Sequence, residues 1–152
     1  MVHALRVVRQ IKVKFPKCEI HWVIKDGLEG ILESVQWIDR YFIFERGGGT
    51  KAYIRLISKI RKFEYDFCLD LQGLLRSALI GKFSISRKKL GRADGRELST
   101  FFYRSIGDSS RKKEIHAIDR LTPFLSYLGV VEYNKKLPLD FLWDIDSFKI
   151  SE

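Results

Sequence analysis

From Tyr65 to Ala78 the chain reads Y-D-F-C-L-D-L-Q-G-L-L-R-S-A, a nearly unbroken apolar run that meets a Gln-Gly turn and resumes at helical spacing. Phe67, Cys68, Leu69 and Leu71 form the pattern of a parallel strand covered on both faces, and Leu74, Leu75, Ala78 and Leu79 that of the helix behind it. A strand, a tight turn and a helix in this order restrict the chain to an open α/β sheet, where ligands collect outside the carboxyl ends of the strands. Asp70, Gln72, Arg76 and Ser77 fall at that end, and the free N–H groups of the helix's first turn favour an anion. Arg76 is a cation at a helix N-terminus, where it opposes the macrodipole and so calls for an anion nearby. An ion pair with Asp70 is its structural alternative.

The same alternation extends in both directions. Val2 to Phe15 reads as an amphipathic helix with Ala4, Val7, Val8, Ile11 and Phe15 on one face, closed by Pro16 and followed by a strand from Glu19 to Ile24. Asp26-Gly27 makes a turn, Leu28 to Ser34 a short helix, and Tyr41 to Glu45 a strand. Gly47-Gly48-Gly49 is followed by no Gly-Lys-Ser or Gly-Lys-Thr, so it reads as a flexible connector and not as a phosphate loop. Tyr53 to Lys62 is the next helix, with Ile54, Ile57, Ser58 and Arg61 at helical spacing. A short strand near Lys88 to Leu90 precedes Gly91 to Arg96, and a helix from Ile115 to Leu128 stops at Gly129. Leu137, Leu139, Phe141 and Trp143 alternate like an edge strand. Helices and strands alternating at these lengths imply a mainly parallel, doubly wound sheet with helices on both faces.

The chain has 152 residues, 45% of them hydrophobic, enough for one domain with a real core. No apolar run approaches the roughly 20 residues that span a bilayer, and the start lacks the regions of a signal peptide, which places the protein in the cytoplasm. Cys18 and Cys68 form no C-x-x-C pair, and no histidines stand at metal-ligand spacing, so neither metal nor cofactor is expected. Cys68 reads as a small core residue. The net charge of +9 and a pI near 9.6 call for anionic partners: phosphorylated sugars, an acidic membrane surface or nucleic acid. Arg61-Lys62, Arg87-Lys88-Lys89, Arg111-Lys112-Lys113 and Lys135-Lys136 are the basic clusters. Phe101, Phe102 and Tyr103 beside Arg104 suit base stacking, yet such a triplet in an α/β domain reads first as core. No recognition-helix, RRM or KH signature accompanies the charge, which leaves a basic nucleic-acid or anionic-surface binding module as the alternative function.

The run D-L-Q-G-L-L-R-S-A, with Gly91-Arg92, Arg96-Glu97, Phe102-Tyr103 and H-A-I-D-R at His116 to Arg120, resembles the bacterial lipopolysaccharide heptosyltransferases, glycosyltransferase family 9, from Val2 to about Val130. The resemblance implies an incomplete Rossmann-like sheet, the N-terminal half of a GT-B glycosyltransferase. Residues 1–131 would be the acceptor-binding domain and 132–152 a tail toward an inter-domain linker, with a C-terminal donor domain absent. Val2, His3, Ala4 and Leu5 match the family's first helix start, with Arg6 in place of its usual Pro. The first strand, its Gly-Asp turn and the Asp acting as catalytic base would then precede Met1, close to His3.

The activity expected of the chain is likewise implied by the resemblance. The parent reaction is transfer of heptose from ADP-heptose to the inner core of lipopolysaccharide. The chain is expected to hold the acceptor side, with no catalytic residue of its own, and to be inactive alone. Gln72, Gly73, Arg76 and Ser77, with Arg92, Arg96 and Arg120 as neighbours, are the candidate acceptor or anion-binding residues, since arginine's planar fork grips paired oxygens. The partners implied are the lipid A and inner-core acceptor, ADP-heptose through the absent domain, and peripheral contact with the anionic inner membrane. His116 and Arg120, with Asp119 beside them, read equally as a helix-start hydrogen-bond cluster.

Overall fold

A computed structural model describes residues 2–109, 116–131, 133–134 and 136–139. In chain order the elements are α1 (Val2–Lys14), β1 (His21–Lys25), α2 (Glu29–Glu33), β2 (Arg40–Phe44), α3 (Gly49–Ile60), β3 (Glu64–Asp70), α4 (Leu75–Phe83), β4 (Ile85–Arg92), a 3-10 turn (Ser99–Phe102), β5 (Arg104–Ile106) and α5 (Thr122–Tyr127). Every strand pair is parallel, as a fold of alternating helices and strands requires.

The strands do not form one sheet. β1 pairs with β2, and β3, β4 and β5 form a second sheet in that order. β1 and β3 share no ladder, although His21 Nδ1 and the Tyr65 hydroxyl, one on each, meet at 3.1 Å. Their rings stack edge to face, and the His21 ring does the same with Phe63 and Phe42. Two backbone edges therefore flank a gap that side chains bridge at one end. Leu71, just past β3, ties the halves together, packing against the clusters built on Leu5 and Val8, on Val7 and Leu125, and on Leu90 and Phe124.

Several elements depart from the sequence reading. Gly48 and Gly49 are no flexible connector: Gly48 is the N-cap of α3 and Gly49 its first residue, so the helix starts four residues before Tyr53. Its buried face is Ala52, Leu56 and Ile60, the last two packed with Phe42 and Ile80, and Ile54 points outward. In α1 the buried residues are Leu5, Val7, Val8 and Gln10, whereas Phe15 lies beyond the helix end and is exposed. Gln10 is buried because its Nε2 donates to the Asn134 carbonyl at 2.8 Å. β3 is less covered than its apolar run suggested, since Phe67 stays 40% exposed under the Lys88 ammonium instead of a helix.

β4 extends to eight residues, because β3 pairs along most of its length and β5 along its last three residues. His116 to Leu121 form turns rather than helix, and α5 begins only at Thr122 with Pro123 in its first turn, ending before Gly129 at φ +77°. Of the alternating tail, Leu139 is buried and its carbonyl accepts from Trp37 Nε1 at 3.0 Å. Phe141 and Trp143 lie outside the described residues, as do Ile115, the 111–113 basic cluster and Lys135. No helix among the described residues is long and apolar enough to cross a membrane.

Candidate functional site

β3 delivers Asp70 to the sheet's carboxyl end, where the side chain shapes the turn that follows. Asp70 is buried, and its Oδ1 accepts the backbone N–H groups of both Gln72 and Gly73 at 3.0 Å. An aspartate reaches the amides two and three residues ahead without distorting the chain, which is why it starts such turns. Gly73 completes the turn at φ +69°, a conformation that disfavours residues with a Cβ. Asp70 Oδ2 has no hydrogen-bond partner among the described residues. Burial pushes the Asp70 carboxyl above the usual range, opposed by the Gly73 N–H, the Ser77 hydroxyl, the Gln72 N–H and the Arg92 charge. The ion pair with Arg76 offered by the sequence is replaced by these peptide N–H bonds.

The anion favoured at the start of α4 comes from the chain itself. Glu97 Oε2 accepts the Leu75 N–H at 3.3 Å. Ser77 folds back on the same turn, accepting from the Leu74 N–H at 3.2 Å and donating to the Leu74 carbonyl at 2.9 Å. Two of the helix's orphan donors are thus satisfied internally. To reach α4, Glu97 and Leu98 both adopt left-handed backbone, φ +57° and +64°. That conformation costs about 1 to 2 kcal/mol per residue with a Cβ. A neighbouring hydrogen-bond set holds it: Arg96 N–H to the Gly73 carbonyl at 2.8 Å, and buried Ser99 Oγ within 3.2 Å of that carbonyl and 3.0 Å of the Tyr103 hydroxyl. The Tyr103 hydroxyl donates to the Arg92 carbonyl at 3.1 Å. Its ring packs so closely over Gly91 that a Cβ there would overlap it.

The candidate arginines divide into two kinds. Arg92 and Arg120 converge on buried Asp94: Arg92 Nε donates to Oδ1 at 2.8 Å and Arg92 Nη2 to Oδ2 at 2.6 Å, and Arg120 Nη1 donates to Oδ2. Burial alone would raise the Asp94 carboxyl, but the bonds and charges of the two arginines prevail and hold it below the usual range. Arg92 also reaches the Gln72 carbonyl at 3.5 Å, so the network braces the Gln-Gly turn. The guanidinium groups of Arg76 and Arg96, in contrast, have no partner among the described residues. Both are tied to the turn through the backbone, Arg76 three residues beyond Gly73 and Arg96 with its N–H bonded to the Gly73 carbonyl. Gln72, in the turn itself, is exposed.

Residues to which the sequence reading gave no part in the site include Asp94, Glu97, Ser99 and Tyr103. Glu97 and Tyr103 lie in motifs that carry the family resemblance, but no role came with them. Asp94 left a local trace, because Arg92 and Asp94 stand two apart and so share one side of an extended segment. His3 and His116 meet edge to face at 5.3 Å, beside a recess lined also by Arg6, Ile118, Asp119 and Tyr133. The Ile118 N–H points to His116 Nδ1 at 3.4 Å, making the helix-start cluster a turn. Among the described residues no group of three or more His, Cys, Asp or Glu side chains is placed to hold a metal ion.

Comparison with known proteins places this arrangement in context. Residues 53–145 match the family model described as glycosyltransferase family 9 (heptosyltransferase). The chain is 30% identical over 151 residues to lipopolysaccharide heptosyltransferase 1 of Campylobacter coli, covering 96% of this chain and 42% of that protein. It is 25% identical over 140 residues to the lipopolysaccharide core heptosyltransferase OpsX of Haemophilus influenzae, covering 90% and 39%. Its fold resembles the E. coli heptosyltransferase WaaC solved with ADP, with a TM-score of 0.72 at 20% identity, covering 91% of this chain and 47% of that one. A glycosyl transferase family 9 protein of Veillonella parvula gives 0.73 at 18% identity, covering 88% and 39%. The chain therefore spans about two fifths of the length of the curated relatives it matches.

Proposed function

Because this chain belongs to glycosyltransferase family 9, the heptosyltransferases, we propose that it supplies the acceptor side of a transfer of heptose from ADP-heptose to the inner core of lipopolysaccharide. The observation that carries this reading is the pair of guanidinium groups, Arg76 and Arg96, that have no partner among the described residues and whose backbones adjoin the Gln72-Gly73 turn at the carboxyl end of β3. An inner-core acceptor carries acidic groups, and two arginine forks borne near one turn can grip their oxygens in pairs. Gln72 adds a neutral hydrogen-bonding side chain suited to sugar hydroxyls.

The other candidate residues serve as scaffold. Gly73 and Ser77 set the turn and the helix start, and Arg92 and Arg120, both bonded to Asp94, fix the loop that bears Arg96. Glu97 satisfies the first amide of α4, so the acceptor's charge is met by the guanidinium groups and not by helix N–H donors. The donor sugar nucleotide is assigned to the portion of the longer relatives that this chain does not match. Residues 1–131 thus act as the acceptor domain, and alone they transfer no heptose.

Calorimetric titration of the purified chain with a heptose-free inner-core acceptor tests this. Arg76→Ala and Arg96→Ala are each expected to weaken binding about tenfold, the loss of one charge-assisted bidentate contact. Arg55→Ala, at an exposed pair with Glu45, serves as the neutral control. Equal affinity in all three variants and the parent would refute the assignment.

A further inference from the structure

The geometry points to a lipid-docking wedge: Leu98 and Phe101, held outward beside Arg96 and Lys82, insert into the interface of an anionic bilayer. Leu98 is 70% exposed and Phe101 79% exposed, the latter a residue that the sequence pattern assigned to the core. They stand three apart at the start of the 3-10 turn, Leu98 as its N-cap and Phe101 within it, so both are presented by the same short exposed loop. The turn itself is pinned from beneath by Ser99, which is fully buried, by the Phe101 N–H to Leu98 carbonyl bond, and by the Tyr103 hydroxyl on the Arg92 carbonyl.

A large apolar residue at φ +64° bears the strain of a left-handed backbone and gains no burial in return. A site selected only for folding would place glycine or asparagine there. The strain is accounted for if the leucine is needed outside the protein. The rim supplies the charge complementarity. Arg96 is exposed and without a partner among the described residues, and the Lys82 ammonium lies 4.7 Å over the neighbouring Phe102 ring. Of the acids in the loop, Glu97 is turned back onto α4 and Asp94 is enclosed by two arginines, so the rim is net positive. Apolar side chains ringed by arginine and lysine match a bilayer, with tails below and anionic headgroups around. A docked wedge would bring the Gln72-Gly73 turn close to the headgroup plane.

The test is co-sedimentation of the intact chain with vesicles of phosphatidylcholine alone and of phosphatidylcholine mixed with phosphatidylglycerol. Binding is expected only to the mixed vesicles. Leu98→Ser with Phe101→Ser should lower it about tenfold through lost apolar burial, and Arg96→Gln about fivefold through one lost charge. Leu98→Gly is the fold-safe companion, because glycine adopts the left-handed conformation freely. It should keep the parent's melting temperature or exceed it while still losing vesicle binding. Binding that ignores the apolar substitutions, or that is equal on uncharged vesicles, would overturn the wedge. So would concentration-dependent dimerisation abolished by the same substitutions, which would make the face a contact between copies. These vesicles contain no lipopolysaccharide, so a negative result leaves the acceptor assignment standing, and failure of the acceptor titration leaves the wedge standing.

Discussion

Replacing Asp94 by alanine removes the anion on which Arg92 and Arg120 converge, and the geometry fixes how much stability should go with it. Three charge-assisted bonds are lost, and the two guanidinium-bearing side chains left behind are only 22% and 20% exposed. Hydrogen bonds to charged groups contribute about 1.5 to 3 kcal/mol each, and breaking a buried ion pair costs about 3 to 5 kcal/mol. Because each arginine keeps about a fifth of its surface in water and can turn outward, the lower end applies, about 3 kcal/mol. For a chain of this length that corresponds to a fall in Tm of about 6 to 12 °C.

The assay is a far-ultraviolet circular dichroism melt near neutral pH, with Asp94→Asn as a variant that keeps one acceptor oxygen and should lose about half as much. A double-mutant cycle with Arg120→Met should return a coupling of about 1 kcal/mol or more. Acid should act as the mutation does. The folded Asp94 carboxyl sits below its ordinary value, so its contribution is complete above the usual aspartate range, near about pH 3.9, and is lost as pH falls through the depressed folded value. The alanine variant should therefore lose less stability over that acid window than the parent does. A loss under about 1 kcal/mol, or an unchanged acid response, would show the cluster to be an ordinary screened surface contact and refute the reasoning.

Three other parts of the fold give outcomes of their own. Burial and the Arg40 charge lower the His21 pKa below 6.5, so its contribution is complete above that value and declines as pH falls toward the folded pKa; His21→Phe should flatten the parent's loss of Tm between about pH 7 and pH 5, and a parallel loss in both proteins would count against it. Gly91→Ala puts a methyl into the Tyr103 ring, so a destabilisation of about 1 to 3 kcal/mol is expected by denaturant titration, and a neutral result would mean that the ring moves freely. The unpaired edges of β1 and β3 should make the chain self-associate, seen as light scattering that rises with concentration; a monomer at all concentrations with a sharp melt would show that the gap is closed by side chains alone.

The parts legible in the sequence were those fixed by neighbours a few residues apart. Strand β3, the Gln-Gly turn and the start of α4 follow from an apolar run, a glycine and a switch of period, all between Tyr65 and Ala78. Parallel pairing followed from the alternation of helices and strands. The beginning of α3 at Gly49 was not legible, because glycines prefer turns unless a packed face such as Ala52, Leu56 and Ile60 draws the helix back over them. Nor was the division into two sheets, since the sequence shows that a strand is apolar but not which edges find partners. The candidate site shows the same limit. Sequence marked the arginines by type and position, yet which of them remain available depends on Asp94 meeting Arg120 across 26 positions and Glu97 meeting Leu75 across 22. A charge is committed or spare according to what lies within hydrogen-bond reach in space, and for Arg76, Arg92, Arg96 and Arg120 only the folded chain decides that.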